Sequence, residues 1–179
     1  MALLTQEQLD GHQIVQIAFV VDNLEDAARG WSGTFGAGPF FVHENMPVSD
    51  VRGPDGRPAV FSQDVAIGQW GSLMVELVKW HDLQAGPVAD VLGRSGFNHV
   101  AYFAPDSDAE RERLEAAGHK VVVSLGFGDL RVHFHDAVAE HGFAIEHYPC
   151  ADVVEELYRK VAEAAQGWDG ADPVRGPIS

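Results

Sequence analysis

The chain has 179 residues, and 27 acidic side chains against 12 lysines and arginines give it a net charge of −15. This acidity excludes nucleic acid and an anionic membrane as partners, because both bind basic surfaces. Hydrophobic residues make up 46% of the sequence, which suits a single globular domain over residues 1–179. No stretch is long and apolar enough to cross a membrane, and the first residues lack a secretory signal pattern. The only cysteine, Cys150, excludes an internal disulfide and indicates a cytoplasmic protein.

The first part of the chain predicts a β-α-β-β-β unit. A β-branched apolar run at 14–21 is typical of a buried strand, and Asp22 and Asn23 follow it as a turn and helix cap. Apolar residues at helical spacing predict a helix at 24–34, which ends at a glycine-rich stretch. Residues 45–57 carry Pro-Asp-Gly turn chemistry and predict a loop. The remaining strands are predicted at 40–43, 58–67 and 72–80.

The same order of elements recurs after a connector at 81–96. The second unit is predicted to have a strand at 97–104, a helix at 106–117, and strands at 120–125, 130–134 and 143–148. Asp152 is predicted to cap a C-terminal helix at 151–166, and the tail after it is predicted to be flexible. Because a repeat determines the whole architecture, we predict an α+β fold. Two tandem βαβββ modules, 13–80 and 97–149, would form one curved mixed sheet followed by the helix.

Four polar side chains occupy equivalent places in the two units. Gln16 and His99 lie in the first strand of each unit, and Glu76 and Glu146 lie in the last. A carboxylate in an apolar strand is unfavourable unless something pairs with it. If the two units pack about a pseudo-twofold axis, these strands meet and the four side chains converge. The pattern therefore predicts one shared divalent metal ion.

This constellation resembles the vicinal oxygen chelate superfamily, which includes glyoxalase I, methylmalonyl-CoA epimerase, extradiol dioxygenases and antibiotic-resistance proteins. The resemblance covers residues 13–149 and is carried by the segments QIAFVVDNLEDAARGW, GAGPFFV, MVELV, NHVAYFAPDSDAERERLEAAG and FAIEHYP. It implies the vicinal oxygen chelate fold and a homodimer. It also implies one divalent ion, of Zn, Ni, Co, Mn or Mg, held by Gln16, Glu76, His99 and Glu146.

The resemblance implies a metal-dependent isomerase or lyase of the glyoxalase type, acting on a small-molecule carbonyl substrate. Proton transfer would pass through a metal-stabilised enediolate or enolate, with Glu146 as the first candidate base and Glu76 as the second. The family usually has His where this chain has Gln16. An amide, one imidazole and two carboxylates suit a Lewis-acid metal, whereas oxygen-activating iron prefers two histidines. An extradiol-type dioxygenase therefore ranks below the isomerase or lyase. The epimerases use a further carboxylate base, for which Asp64 and then Glu44 are the candidates.

Several alternatives remain open from the sequence. The same fold also serves proteins that bind or sequester a hydrophobic or aromatic molecule without chemistry. His133 and His135 lie on the same side of a strand. They are candidates for metal ligands, but are more typical of half-exposed strand residues, or one of them orients the substrate. Arg131 is the alternative partner for a buried glutamate. Arg52 and Arg57 lie in a loop and would bind the carboxylates of glutathione, unless they are merely solvated. Surface positions are predicted for His12, His119, His141 and His147.

Overall fold

The computed structural model of the protein describes residues 11–46 and 48–178. Its strands are β1 (Gln16–Val20), β2 (Phe40–His43), β3 (Ser49–Arg52), β4 (Ser62–Trp70), β5 (Leu73–His81), β6 (Gly96–Ala104), β7 (Val121–Phe127), β8 (Leu130–His135), β9 (Ala144–Pro149) and β10 (Val174–Arg175). Its helices are α1 (Leu24–Phe35), α2 (Pro87–Leu92), α3 (Ser107–Ala116), α4 (Val138–His141) and α5 (Asp152–Ala164). These strands form one mixed sheet in the order β10-β2-β4-β5-β1-β6-β9-β8-β7-β3. The predicted α+β fold with a C-terminal helix is confirmed.

The two halves of the sheet repeat the same pairing. Strand β1 pairs in parallel with β5, and β6 pairs in parallel with β9. The antiparallel pair of β1 and β6 joins the halves. This arrangement has a pseudo-twofold axis between β1 and β6. The first and last strands of both units therefore occupy the centre of the sheet.

Helix α1 covers one face of the first half. It begins after Asn23, whose side-chain oxygen accepts a hydrogen bond from the backbone N–H of Asp26. It ends at Gly36, whose φ of 65° lies in the left-handed region that favours glycine. Leu24 and Ala28 are the buried residues of the helix. They pack in a core cluster with Ala37, Phe40, Ala66, Val75 and Leu77.

Helix α5 covers the opposite face of the sheet. Its buried residues are Val154, Tyr158 and Val161, which belong to a second and larger core cluster. The prediction that Asp152 caps this helix is wrong. The cap position is Ala151, which has no capping side chain, and Asp152 is the first helical residue. An acidic side chain there still interacts favourably with the positive end of the helix dipole.

Three segments have structure that the sequence pattern does not indicate. In the predicted loop at 45–57, β3 pairs antiparallel with β7 of the other half. In the connector at 81–96, α2 forms, and in the tail β10 pairs in parallel with β2. The predictions of an irregular loop and a flexible tail are therefore wrong. Strands β3 and β10 form the two edges of the sheet, where pairing depends on a distant partner rather than on a local apolar pattern.

The polar lead-in at 1–12, whose sequence allows a short helix with Leu9 on its apolar side, lies almost entirely outside the described residues. In the part of the chain that the structure describes, no helix has the length and apolar character that crossing a membrane requires.

A buried carboxylate connects helix α3 to the central strand β6. Glu110 is only 7% exposed. It accepts hydrogen bonds from Arg113 at 2.8 and 2.7 Å, and from the Tyr102 hydroxyl on β6. Burial raises the pKa of Glu110, but hydrogen bonds from Arg113, Tyr102 and His12 outweigh burial and lower it from 4.5 to about 2. The charged carboxylate therefore stabilises the fold.

We expect Glu110→Gln to lower the free energy of unfolding by about 2 kcal/mol at neutral pH, allowing for solvent screening at the half-exposed Arg113. The pKa of Glu110 is depressed in the folded state, so its contribution is present above the unfolded value of 4.5. It should be lost as pH falls from 4.5 towards 2. Urea unfolding between pH 2 and pH 7 checks this. Glu112→Gln, on the exposed side of the same helix, should follow the parent protein, and parallel curves for Glu110→Gln and the parent would refute the assignment.

Candidate metal centre

Two rows of side chains cross the four central strands on one face of the sheet. In the first row, Ala18 of β1 lies between Glu76 of β5 and His99 of β6. In the second row, an alanine of β6 lies between Gln16 of β1 and Glu146 of β9. Residues paired in register point to the same face. Both alanines are fully buried, and their small side chains leave room for the four longer ones to meet above them.

Three of the predicted residues converge. The Oε2 atoms of Glu146 and Glu76 lie 3.2 and 3.3 Å from Nε2 of His99. One ligand atom from each residue lies within 4.8 Å of the other two. Although both carboxylates are near, Nε2 is buried and neither meets it in hydrogen-bond geometry. Ligands about 2.1 Å from one ion lie about 3.0–3.5 Å apart, so this spacing fits a divalent cation.

Asn98 fixes the tautomer of His99. Its Nδ2 donates hydrogen bonds to the backbone carbonyls of Val91, Leu92 and Arg94, at 3.4, 3.0 and 3.2 Å. Its Oδ1 is thereby turned to Nδ1 of His99, at 3.1 Å. An amide oxygen only accepts, so Nδ1 carries the proton and Nε2 presents its lone pair to a metal. Asn98 was not among the residues predicted from the sequence. The available signal was a polar side chain directly before the ligand histidine in an apolar strand.

Gln16 lies in the same cavity, where two tyrosines hold its amide oxygen. Oε1 accepts hydrogen bonds from the hydroxyls of Tyr158 and Tyr148, at 3.3 and 3.5 Å. The two hydroxyls also contact each other. Burial raises the pKa of Tyr148 and Tyr158 well above the usual value, so both remain protonated donors. Gln16 as the fourth metal ligand stays a prediction.

The four side chains line a cavity of about 110 Å³. Met46 and Val48 form part of its wall, because the pairing of β3 with β7 draws this segment of the first unit across to the second. Val154, Leu157 and Tyr158 of α5 form another part. The site is therefore enclosed by elements from both units and by the C-terminal helix.

The electrostatics of the site favour a positive charge at its centre. Burial lowers the pKa of His99, but the carboxylates of Glu146 and Glu76 outweigh burial and raise it to about 9. Burial raises the pKa of Glu146, although His99 opposes this. Arg131, the alternative partner of a buried glutamate, pairs with Asp50 instead. The two carboxylates therefore depend on a proton at His99 or on a divalent cation.

Neither candidate for a second base reaches the cavity. Asp64 accepts a hydrogen bond from the backbone N–H of Asn45 at 2.8 Å and lies 2.8 Å from Nε2 of His81. Gln63, one residue earlier on β4, lines the cavity, so Asp64 points to the opposite face. Glu44 is exposed and also lies outside the cavity. Neither residue is therefore placed to act as a second base in the cavity, as the lack of a clean match in the sequence indicated.

The predictions for His133 and His135 are also wrong. Phe134 between them lines the cavity, so the two histidines point to the other face of the sheet. They are buried rather than half-exposed, and so is His147, which we predicted at the surface. Nε2 of His135 lies 3.1 Å from Nε2 of His147. Burial lowers the pKa of His133 to about 4 and that of His147 to about 3, and it also lowers the pKa of His135. Neutral imidazoles form a buried cluster there.

A second group of metal-binding type lies at the surface. Glu140 carboxylate oxygens lie 3.7 Å from Nε2 of His119 and 3.8 Å from Nε2 of His141. Glu140 and His141 are exposed, so this group offers no enclosed space for a substrate. It does require a control in any measurement of metal content.

The comparisons with known families establish what class of protein this is. The model of the Glyoxalase/Bleomycin resistance protein/Dioxygenase superfamily matches residues 15–134. The chain therefore belongs to this superfamily, the vicinal oxygen chelate proteins, as its motifs indicated. The match includes Gln16, Glu76 and His99, and Glu146 lies beyond it. A search of curated proteins found no significant match.

Solved structures share the fold at low sequence identity. A hypothetical protein from Bacillus halodurans has a TM-score of 0.52 at 14% identity, over 78% of this chain and 95% of that one. Methylmalonyl-CoA epimerase from Mycobacterium tuberculosis has a TM-score of 0.52 at 19% identity, over 80% and 91%. A methylmalonyl-CoA epimerase in complex with methylmalonyl-CoA and an ammonium ion has a TM-score of 0.50 at 18% identity, over 79% and 96%. At these identities the likeness concerns the fold alone.

We expect Asn98→Ala to weaken divalent metal binding about 10–100-fold, because His99 loses the partner that fixes its tautomer and ring orientation. Competition with a chromophoric chelator measures the change. Asn23→Ala removes the cap of α1 and should reduce stability by about 1 kcal/mol without changing metal affinity. If both variants lose affinity equally, the role of Asn98 is only structural.

Proposed function

We propose that this protein is a metal-dependent isomerase or lyase that moves a proton on a small carbonyl substrate. The observation that carries the proposal is the convergence of Glu76, His99 and Glu146 inside a cavity, with Nε2 of His99 buried and not hydrogen-bonded. An enclosed site with an available metal-ligand nitrogen is suited to binding a cation together with a second molecule.

The set of ligand atoms indicates which metal ion, and therefore which type of reaction, the site suits. His99, Glu76 and Glu146 would hold the ion, and Gln16 would be the fourth ligand. One imidazole with oxygen donors suits Zn, Ni, Co, Mn or Mg better than the iron of an extradiol-type dioxygenase, which prefers two histidines. When bound, such an ion supplies Lewis-acid polarisation of a carbonyl and stabilisation of the enolate or enediolate charge.

Glu146 is the proposed base, and Glu76 is the second candidate. The side chain of Glu146 is the more buried of the two, at 12% exposed against 16%. Burial raises the pKa of Glu146, which makes its carboxylate the stronger base. Its carboxylate would take the proton from the carbon beside the carbonyl and return it to the same or the neighbouring carbon. Apart from the proposed metal ligands, no carboxylate or histidine of the described chain lines the cavity, which favours such one-base proton transfer.

A second candidate function is the binding or sequestering of a hydrophobic molecule without chemistry. The apolar lining of the cavity favours it, with Trp80, Phe127 and Phe134 available for stacking on an aromatic ligand. For either function we propose a homodimer in the cytoplasm, which the family resemblance and the low cysteine content support.

Metal analysis of the purified protein separates the two functions. For the isomerase or lyase we expect about one ion per chain. The Glu76→Ala variant should lose this ion, because only His99 and Glu146 of the three converging residues then remain as ligands. Plasma mass spectrometry on the dialysed protein measures this. His119→Ala, which disrupts the surface group, should leave the ion in place. A chain that takes up no metal but binds hydrophobic ligands tightly would be a sequestering protein.

We expect Glu146→Gln to reduce proton transfer by about two to four orders of magnitude while the fold is retained, because an amide does not accept the proton. Exchange of carbon-bound hydrogen into heavy water, followed by NMR on a panel of α-hydroxy ketones, is the measurement. The metal content of the variant is determined on the same sample. Undiminished exchange by metal-loaded Glu146→Gln would remove Glu146 from the mechanism and direct attention to Glu76.

A further inference from the structure

The structure of the cavity also bears on the substrate, and this inference rests on the proposed function. We propose that the site takes an uncharged, mainly apolar carbonyl compound with an aryl or alkyl body. Substrates with a carboxylate or phosphate near the reacting centre would be excluded.

Apart from the candidate metal-binding residues, Gln63 and the two tyrosines, the wall is apolar. Its larger members come from both halves of the sheet and from α5, and include Val65, Ile67, Trp80, Leu125, Phe134 and Leu157. No lysine or arginine of the described chain is among the lining residues. An anionic group bound there would lose its hydration without gaining a cationic partner, which is strongly unfavourable. An apolar body gains free energy in proportion to the surface that it removes from water.

The charges at the metal centre cancel. Glu76 and Glu146 contribute two negative charges, His99 as a ligand is neutral, and a divalent ion contributes two positive charges. The centre therefore has no excess positive charge to attract an anion. The net charge of −15 on the whole chain adds a repulsive field for anions.

The arginines considered as candidates for binding an acidic substrate are paired elsewhere. Arg52 forms an ion pair with Asp50, and Arg57 lies 3.4 Å from a carboxylate oxygen of Asp55. Neither lines the cavity of the metal centre. In the observed arrangement neither arginine is placed to bind a substrate carboxylate at this site, which agrees with the alternative that both are solvated loop residues.

Three hydroxamic acids test the inference, because all chelate metal through the same carbonyl and adjacent oxygen. Acetohydroxamate has a small body, benzohydroxamate has an apolar body, and the monohydroxamate of succinic acid has an anionic one. We expect the metal-loaded chain to bind benzohydroxamate at least about tenfold more tightly than acetohydroxamate. The succinic derivative should bind no more tightly than acetohydroxamate. Isothermal titration calorimetry with the full chain measures all three.

A matched pair of variants on α5 adds a charge inside or outside the cavity. Leu157 lines the cavity and is only partly buried, whereas Val153, one turn earlier, is 55% exposed and lies outside the cavity. Leu157→Arg should tighten binding of the succinic derivative at least about threefold and weaken binding of benzohydroxamate. Val153→Arg should change neither affinity.

The outcomes separate the inference from the function on which it rests. Metal-loaded protein that prefers the succinic derivative, or that does not distinguish the three probes, overturns the substrate class alone. Equal responses of Leu157→Arg and Val153→Arg would also overturn it, since cavity charge would then not control selectivity. A chain that takes up no metal overturns the proposed function and this inference together.

Discussion

The structure depends on two carboxylates placed on one face at the centre of a ten-stranded sheet. Glu76 and Glu146 lie on strands that flank the antiparallel pair β1 and β6, where water is largely excluded. Their mutual repulsion and desolvation are tolerable only with a positive partner between them. His99 occupies that position, and the two alanines of the rows give it access to both acids. A buried charge in a protein core requires a partner of opposite charge, and meeting that requirement here brings together side chains that could also bind a metal ion.

The centre of the fold was predictable because it depends on periodicity and repetition. Alternation of apolar residues predicted the central strands. The repeat showed that Gln16 occupies the place equivalent to His99, and Glu76 the place equivalent to Glu146. Asn23 and Gly36 set the bounds of α1 by local hydrogen bonding and backbone geometry, which a sequence displays directly. The edges were not predictable in the same way. Strand β3 is four residues long and exists because β7 is available, and β7 lies more than seventy residues later.

The other site predictions depended on which face of a strand lines the cavity. The alternation along β8 makes Phe134 a cavity residue and turns His133 and His135 away. The sequence showed that the two histidines share a side but not which side faces the metal centre. The same limit applies to Asp64, one residue from the cavity-lining Gln63. A shift of one residue along a strand exchanges its two faces, so correct strand positions alone do not assign side chains to a site.

In a crossed arrangement, the helix after each unit holds a candidate metal-binding residue of the other unit. Helix α2 follows the first unit, and its carbonyls orient Asn98, which fixes His99 of the second unit. Helix α5 follows the second unit, and its Tyr158 donates to Gln16 of the first unit. The central strands are nearly symmetric, whereas the helices supply different partners, a carbonyl-anchored amide on one side and phenol hydroxyls on the other. Glutamine therefore suits the first position, because an amide oxygen accepts hydrogen bonds from both tyrosines, and a neutral imidazole has only one nitrogen that accepts. The helix that encloses the substrate cavity is thus also the one that holds the residue by which this chain departs from the usual ligand set.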